Sequence, residues 1–220
     1  MSCAHCQCID RLFDRKVAER ELRKYRAKGP PKTTRLLIEA LDDGIGNQTL
    51  LDIGGGVGVI QQELLKRGAS SATAVDASRA YLQVAAEEAE RRGTTGRINY
   101  HFGNFVDLAG EIPAADIVTL EKVICCYPDM RALVGLSSAR AKKLYALVFP
   151  RDAWWLRAVA KLVNWFTRYQ RNAFPIFVHL TEDVEAILRE NGLRRRFYRK
   201  TLIWQVMVYE RLQPGTGYQS

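Results

Sequence analysis

The sequence predicts an α/β fold: a doubly wound, mostly parallel seven-stranded sheet with an antiparallel C-terminal hairpin and an N-terminal helical arm. Three observations carry it. From Thr49 onward, short apolar runs alternate with helical stretches in the manner of βαβ units. The first run passes straight into a glycine-rich turn, Gly54-Gly55-Gly56-Val57-Gly58. The last two runs, Leu193–Lys200 and Leu202–Arg211, have no helical stretch between them and so pair as antiparallel neighbours.

The elements follow in order. Ile9 to Ala27 reads as a helix with Ala18, Leu22 and Tyr25 on one side, stopped by Gly29-Pro30-Pro31. A second helix from Thr33 to Leu41 ends in the turn cluster Asp42-Asp43-Gly44-Ile45-Gly46. Strands are expected at Thr49–Ile53, Ala72–Asp76, Ile98–Phe102, Asp116–Leu120 and Leu144–Phe149. Helices fill Val57–Lys66, Arg79–Arg92 and Met130–Ala139, with the Ser78 hydroxyl capping the second. Further helices are expected at Asp152–Gln170 and Glu182–Asn191, ahead of the hairpin. Residues 1–44 thus form a Cys-rich segment and helical arm, 45–212 one domain, and 213–220 a polar tail.

Composition narrows the class. A chain of 220 residues can bury one sizeable core, and 47% hydrophobic with 26% charged residues is an ordinary globular balance. No apolar run reaches the ~18 residues of a membrane span, and Met1–Cys6 has neither part of a secretory signal, so a soluble cytoplasmic protein is expected. The net charge of +9, rich in Arg between Arg151 and Arg211, suits either a solvated basic face or an anionic partner. The five cysteines are not spaced as a disulfide framework. Cys3, His5, Cys6 and Cys8 put four donors into six residues, too cramped to close a metal site alone, so no metal is assigned.

Glycines in a strand-to-helix turn let a ligand approach the backbone, and the helix N-terminus offers unpaired N–H groups. Counted from Gly54, the dinucleotide fingerprint wants a sixth-position glycine where Val59 stands, which argues against a nicotinamide-binding oxidoreductase. The order Asp52-x-Gly54-x-Gly56-x-Gly58 instead resembles the first motif of class I methyltransferases, whose fold is Rossmann-like and whose cofactor is S-adenosyl-L-methionine. That resemblance implies that Asp52 helps hold the ligand's amino-acid end and that the loop curves beneath it. It implies that Asp76, with Ala77 beside it, accepts hydrogen bonds from both ribose hydroxyls, two acceptors suiting a cis-diol. Asp76 alone reads equally as a cap before Ser78. The resemblance also sets Asn104 near the adenine amino group, where the family commonly has an aspartate, with Phe105 giving its backbone N–H to the ring or simply filling core. Glu121, closing the fourth strand, is expected to line the same pocket.

Methyl transfer from a sulfonium is a displacement with a neutral leaving group, so alignment and exclusion of water matter most. A carboxylate acceptor, with an ordinary pKa of about 4.3, needs no base at neutral pH. From about Val118 to Tyr209 the chain resembles, more loosely, the magnesium-protoporphyrin IX methyltransferases, which esterify a carboxylate. Matching segments are Val123-Ile124-Cys125-Cys126-Tyr127-Pro128-Asp129, Val148-Phe149-Pro150 and His179-Leu180-Thr181-Glu182-Asp183-Val184. Cys126 stands where that family carries a histidine before Tyr-Pro. Tyr127 and His179 are the candidate catalytic residues, Tyr127 to orient substrate and His179 as a pocket residue, against plain packing for His179. Cys125 and Cys126 read as small buried residues at a strand end.

The acceptor expected is a small molecule, with a hydrophobic carboxylic acid as the candidate, and nothing in the pattern fixes oligomeric state. The Trp154–Tyr169 helix has Trp155, Val159, Leu162, Phe166 and Tyr169 on one face and Arg157, Lys161 and Arg168 opposite, with Trp154 and Trp165 beside that stripe. It reads as a helix packed on the sheet, or as a contact with an anionic membrane surface. A binding module without methyltransferase activity, holding a nucleotide or holding RNA on Arg194-Arg195-Arg196, is the alternative; nucleic acid is disfavoured because a clustered aromatic platform is missing.

Overall fold

The computed structural model describes Asp10, residues 12–169 and residues 175–212, with the side chains of residues 166–169 outside the described set. The Cys3–Cys8 cluster and the 213–220 tail lie outside the described residues. Two arm helices lead, α1 (Arg15–Lys28) and α2 (Lys32–Leu41). The core then runs β1 (Thr49–Ile53), α3 (Val59–Lys66), β2 (Ser71–Asp76), α4 (Arg79–Arg92) and β3 (Ile98–Phe102). After a single-turn α5 (Phe105–Leu108) come β4 (Ala115–Glu121), α6 (Met130–Ala139) and β5 (Ala141–Pro150). The chain closes with α7 (Trp154–Tyr169), α8 (Thr181–Glu190), β6 (Leu193–Lys200) and β7 (Trp204–Arg211).

All seven strands form one sheet in the order β3-β2-β1-β4-β5-β7-β6. The first five are parallel neighbours, and β7 pairs antiparallel with both β5 and β6. Alternating side chains divide the core into two layers, as a sheet buried on both faces requires. Leu51, Ile53, Val118, Leu120, Leu147 and Phe149 pack toward α6 and α8. Leu50, Ala72, Ala74, Ile117, Ala146 and Val148 pack toward α2 and α3. Strand order reverses between β1 and β4, and the crevice outside their carboxyl ends is where open α/β sheets bind ligands.

Several expected elements are adjusted, β5 starting at Ala141 rather than Leu144 and β7 at Trp204 rather than Leu202. The helix after the glycine turn starts at Val59 rather than Val57, because Gly58 is left-handed (φ 79°) and cannot continue a right-handed turn. The arm helix starts at Arg15, where Asp14 accepts from the Val17 N–H at 2.9 Å. On α7 the inward stripe is Leu156, Ala160, Val163 and Asn164, not the Trp155-Val159-Leu162 face; Val159 and Leu162 are exposed. Apolar residues surround that helix, so periodicity alone leaves two candidate faces. Asn164 decides between them by bonding the backbone of Ile176 in both directions, at 2.7 and 2.8 Å.

The arm is anchored on α4. Ala18, Leu22 and Tyr25 of α1 pack with Val57, Tyr81 and Val84. Beside them the fully buried Glu88 accepts from Arg26, Arg91 and Arg92 at 2.6 to 3.0 Å. Burial alone would raise its pKa, but the bonds from Arg91, Arg26 and Arg92 outweigh that and hold it at about 2. A carboxyl depressed in the folded state adds stability above its unfolded pKa, and that stability is lost as pH falls from about 4.5 toward 2. Glu88→Gln should therefore cost about 2 kcal/mol near neutral pH, screened because the arginines are partly exposed, with the difference from wild type shrinking toward pH 2 in urea unfolding.

Candidate active site

The turn after β1 holds three left-handed glycines, Gly54 (φ 65°), Gly56 (φ 56°) and Gly58 (φ 79°), a conformation other residues enter only at a cost. The Gly54 N–H donates to the Val75 carbonyl at 2.7 Å and so stitches the turn to β2. Close approach adds a second demand: a Cβ on Gly54 would lie 2.6 Å from Val123 Cγ2, and one on Gly55 would overlap the Asp52 carboxylate. Gly55 was not among the sequence candidates; the unbroken Gly-Gly-Gly run was its only signal.

Asp52 is fully buried beneath the turn. Its Oδ1 accepts from the Thr119 hydroxyl at 2.6 Å and its Oδ2 from Gln61 Nε2 at 3.1 Å. Burial pushes its pKa up to about 6, against the lowering bonds from Thr119 and Gln61. Neither Asp52 nor Gly58 reaches the wall of the cavity that opens above the turn.

That cavity, of about 1010 Å³, is lined by Gly54, Gly56, Asp76, Ala77, Asn104, Phe105, Glu121 and Tyr127 among others. Asp76 stands at the end of β2, where Oδ2 accepts from the Gly56 N–H at 3.1 Å and Oδ1 from the Ser78 N–H at 2.8 Å. Burial raises its pKa to about 6, and the backbone N–H groups of Ser78, Gly56 and Ala77 oppose the rise. The Ser78 hydroxyl does cap α4, accepting from Tyr81 N–H at 3.2 Å, so the cap and the wall carboxylate are different residues. Asn104 caps α5 by accepting from the Val106 N–H at 3.3 Å, and the Phe105 side chain is core.

Glu121 ends β4 on the cavity wall, held by the Thr33 and Thr34 hydroxyls at 2.9 and 2.7 Å and by Lys122 Nζ at 3.2 Å. Those threonines are buried at the start of α2 and carried no signal in the sequence, since the contact spans nearly ninety positions. Lys122 is left-handed (φ 60°) and turns the chain into Val123. Cys125 and Cys126 line the wall with their sulfurs 3.7 Å apart. His179 is not on the wall: its Nε2 meets the Ile124 carbonyl at 2.8 Å and its ring stacks on Phe177. Burial lowers its pKa, so the neutral ring donates to that carbonyl and props the turn carrying the two cysteines. Lys24, Lys28, Lys32 and Arg35, contributed by the arm, complete the wall with no acidic partner among the described residues.

A family model described as "Methyltransferase domain" matches residues 50–141, from β1 through the first residue of β5. That match covers a little less than half of the chain. The ribosomal protein L11 methyltransferase of Edwardsiella ictaluri is 29% identical over 146 residues, 62% of this chain; the chain spans about half the length of the curated relatives it matches. Among solved structures, the magnesium protoporphyrin IX methyltransferase of Synechocystis PCC 6803 with bound SAH superposes with a TM-score of 0.73 at 18% identity, covering 93% of this chain and 98% of that one. An O-methyltransferase family protein from Burkholderia thailandensis gives 0.66 at 17% identity, over 90% and 63%. At those identities the likeness is one of fold, the class I S-adenosylmethionine-dependent methyltransferase fold. In this fold Gly54, Gly55, Gly56, Asp76 and Asn104 all line the cavity at the β1–β4 switch point.

Space beneath the turn is the property most open to test. Gly55→Ala should destabilise the fold by about 1–3 kcal/mol by driving a methyl into the Asp52 carboxylate. Gly46→Ala, with nothing within 4 Å, should leave the thermal midpoint within a degree or two. Equal midpoints for the two variants would refute the packing.

Proposed function

We propose that the cavity binds S-adenosylmethionine and directs its methyl group to an oxygen of a small, apolar carboxylic acid. Asp76 carries the cofactor half of the reading. Its two oxygens are already aimed by backbone N–H groups from the turn and from Ser78, and each keeps acceptor capacity for a ribose hydroxyl. The donor set fits the cofactor in a second way, because the left-handed glycines form a cradle that a side chain on Gly54 would fill.

When bound, the cofactor supplies an electrophilic methyl on a sulfonium. The protein's own contributions are local. Asp76 and Ala77 hold the ribose end, and Asn104 keeps a carbonyl lone pair for the adenine amino group beside the Phe105 N–H. Glu121 gives the wall a negative charge that would suit the cofactor's cationic end. Asp52 and Gly58 act from beneath as positioning residues that hold the turn. Tyr127 orients the acceptor, and His179 acts through the turn it props. The acceptor half rests on the arm's cations: Lys28, Lys32 and Arg35 have no acidic partner among the described residues and suit an anion. A carboxylate needs no proton removed, in keeping with a neutral, turned-away His179.

A protein acceptor is the second reading, favoured by relatives named for ribosomal protein L11. The RNA-binding module is less well supported. Arg194, Arg195 and Arg196 are ion-paired with Glu210, Glu185 and Asp43.

Calorimetric titration tests the cofactor assignment. S-Adenosylmethionine and its demethylated product should both bind, a nicotinamide dinucleotide should not, and Asp76→Ala should weaken binding by at least about tenfold for two lost hydrogen bonds. No binding to wild type overturns the proposal. Because Asp76 must be ionised to accept two hydroxyls, affinity should rise with pH through about 6 and level off above it. In Asp76→Asn that step should shrink.

A further inference from the structure

α7 and the turn beside it present a broad apolar surface to solvent. Trp154 is 76% exposed, Leu162 64% and Trp165 72%, and helical spacing puts all three on one stripe. In the β6–β7 turn, Leu202 is 74% and Ile203 41% exposed. The two pieces are tied together. Arg151, three residues before α7, donates its backbone N–H to the Ile203 carbonyl at 2.8 Å and its guanidinium to the Thr201 and Leu202 carbonyls at 3.4 and 3.3 Å.

The charges on this surface have one sign. Arg157 and Lys161 are exposed on the same side of α7, and the helix has no acidic residue. Two tryptophans lie about 16 Å apart along a convex helix, at 1.5 Å per residue. A convex basic face ending in tryptophans suits an anionic lipid–water interface, where indole rings sit at headgroup level and the stems of Lys and Arg lie along apolar surface. Among the described residues no helix is long and apolar enough to cross a membrane, so the contact is peripheral.

The surface also leads to the cavity. Ile176, bonded in both directions to Asn164 of α7, lines the cavity wall, as do Pro150 and Trp204 at the base of the same loops. We propose that α7 and the Leu202–Ile203 turn seat the protein on an anionic lipid bilayer with the cavity mouth turned toward the lipid. The functional meaning, access for an acceptor dissolved in the membrane, rests on reading the cavity as the methyl-transfer pocket; the lipid contact itself does not.

Co-sedimentation of the full chain with vesicles of phosphatidylcholine, with and without phosphatidylglycerol, tests the contact. Partition should be at least about tenfold stronger onto the anionic vesicles and should fall as salt is raised. Trp154→Ser/Trp165→Ser and Arg157→Gln/Lys161→Gln should each reduce it by about tenfold or more while cofactor titration in solution stays at the wild-type value. These side chains are solvent-exposed, so their loss leaves the core intact. No preference for anionic vesicles, or double variants that partition like wild type, overturns the proposal. So does a wild-type dimer in sedimentation velocity that the tryptophan variant dissociates without altering partition, which would assign the face to a second copy. Loss of cofactor binding in wild type would instead fail the methyl-transfer reading and leave the vesicle result standing.

Discussion

The Asp52 carboxylate, buried under the glycine turn, is the constraint on which the rest of the site depends. It takes a hydrogen bond from Thr119 on β4 and another from Gln61 on α3, and so ties the two strands flanking the switch point to the helix that leaves it. It also occupies the space that a side chain at Gly55 would need. The turn must therefore pass over it as bare backbone, which leaves the Gly56 N–H where Asp76 can accept from it. A buried carboxylate is costly unless each oxygen is satisfied, and here each has a donor.

The arm adds a wall to this common crevice. Its outer end is clamped by the arginines around Glu88, and its inner end by the hydroxyls of Thr33 and Thr34 on Glu121. Both clamps use carboxylates of the central domain, so the arm's position and the electrostatics of the wall are coupled. Around these clamps the arm sets Lys24, Lys28, Lys32 and Arg35 on the cavity wall. Asp76 and Glu121 come from the strand ends and most of the wall's cations from the arm, beside the arm's Glu21 and with Lys122 next to Glu121, so the cavity offers charge of both signs to a ligand.

Much of the fold was legible in the residues. The three strands Thr49–Ile53, Ile98–Phe102 and Leu193–Lys200 and the helices Arg79–Arg92 and Met130–Ala139 end where turn residues and apolar periodicity indicate. The cap at Ser78 and the left-handed stop at Gly29 are local interactions within a few positions, whereas the Asp14 cap went unread inside an expected helix. The outward stripe of α7 was not legible, because Trp, Leu and Val encircle that helix and only the Asn164–Ile176 pair picks the buried side. The same applies to His179, whose neighbours Phe177 and Val178 suggest burial but do not reveal that its partner is the Ile124 carbonyl.

By itself, the sequence determined the order of strands and helices, the glycine turn and the identity of Asp76 as the residue ending β2, since each depends on periodicity, backbone sterics or spacing within one βαβ unit. Only the tertiary structure decided that Asp52 lies under the turn and outside the cavity. The same holds for Glu121 being held by Thr33 and Thr34, and for the arm's cations standing on the wall. Those contacts join residues tens of positions apart, and their geometry is set by how helices pack on a twisted sheet, which no local pattern encodes.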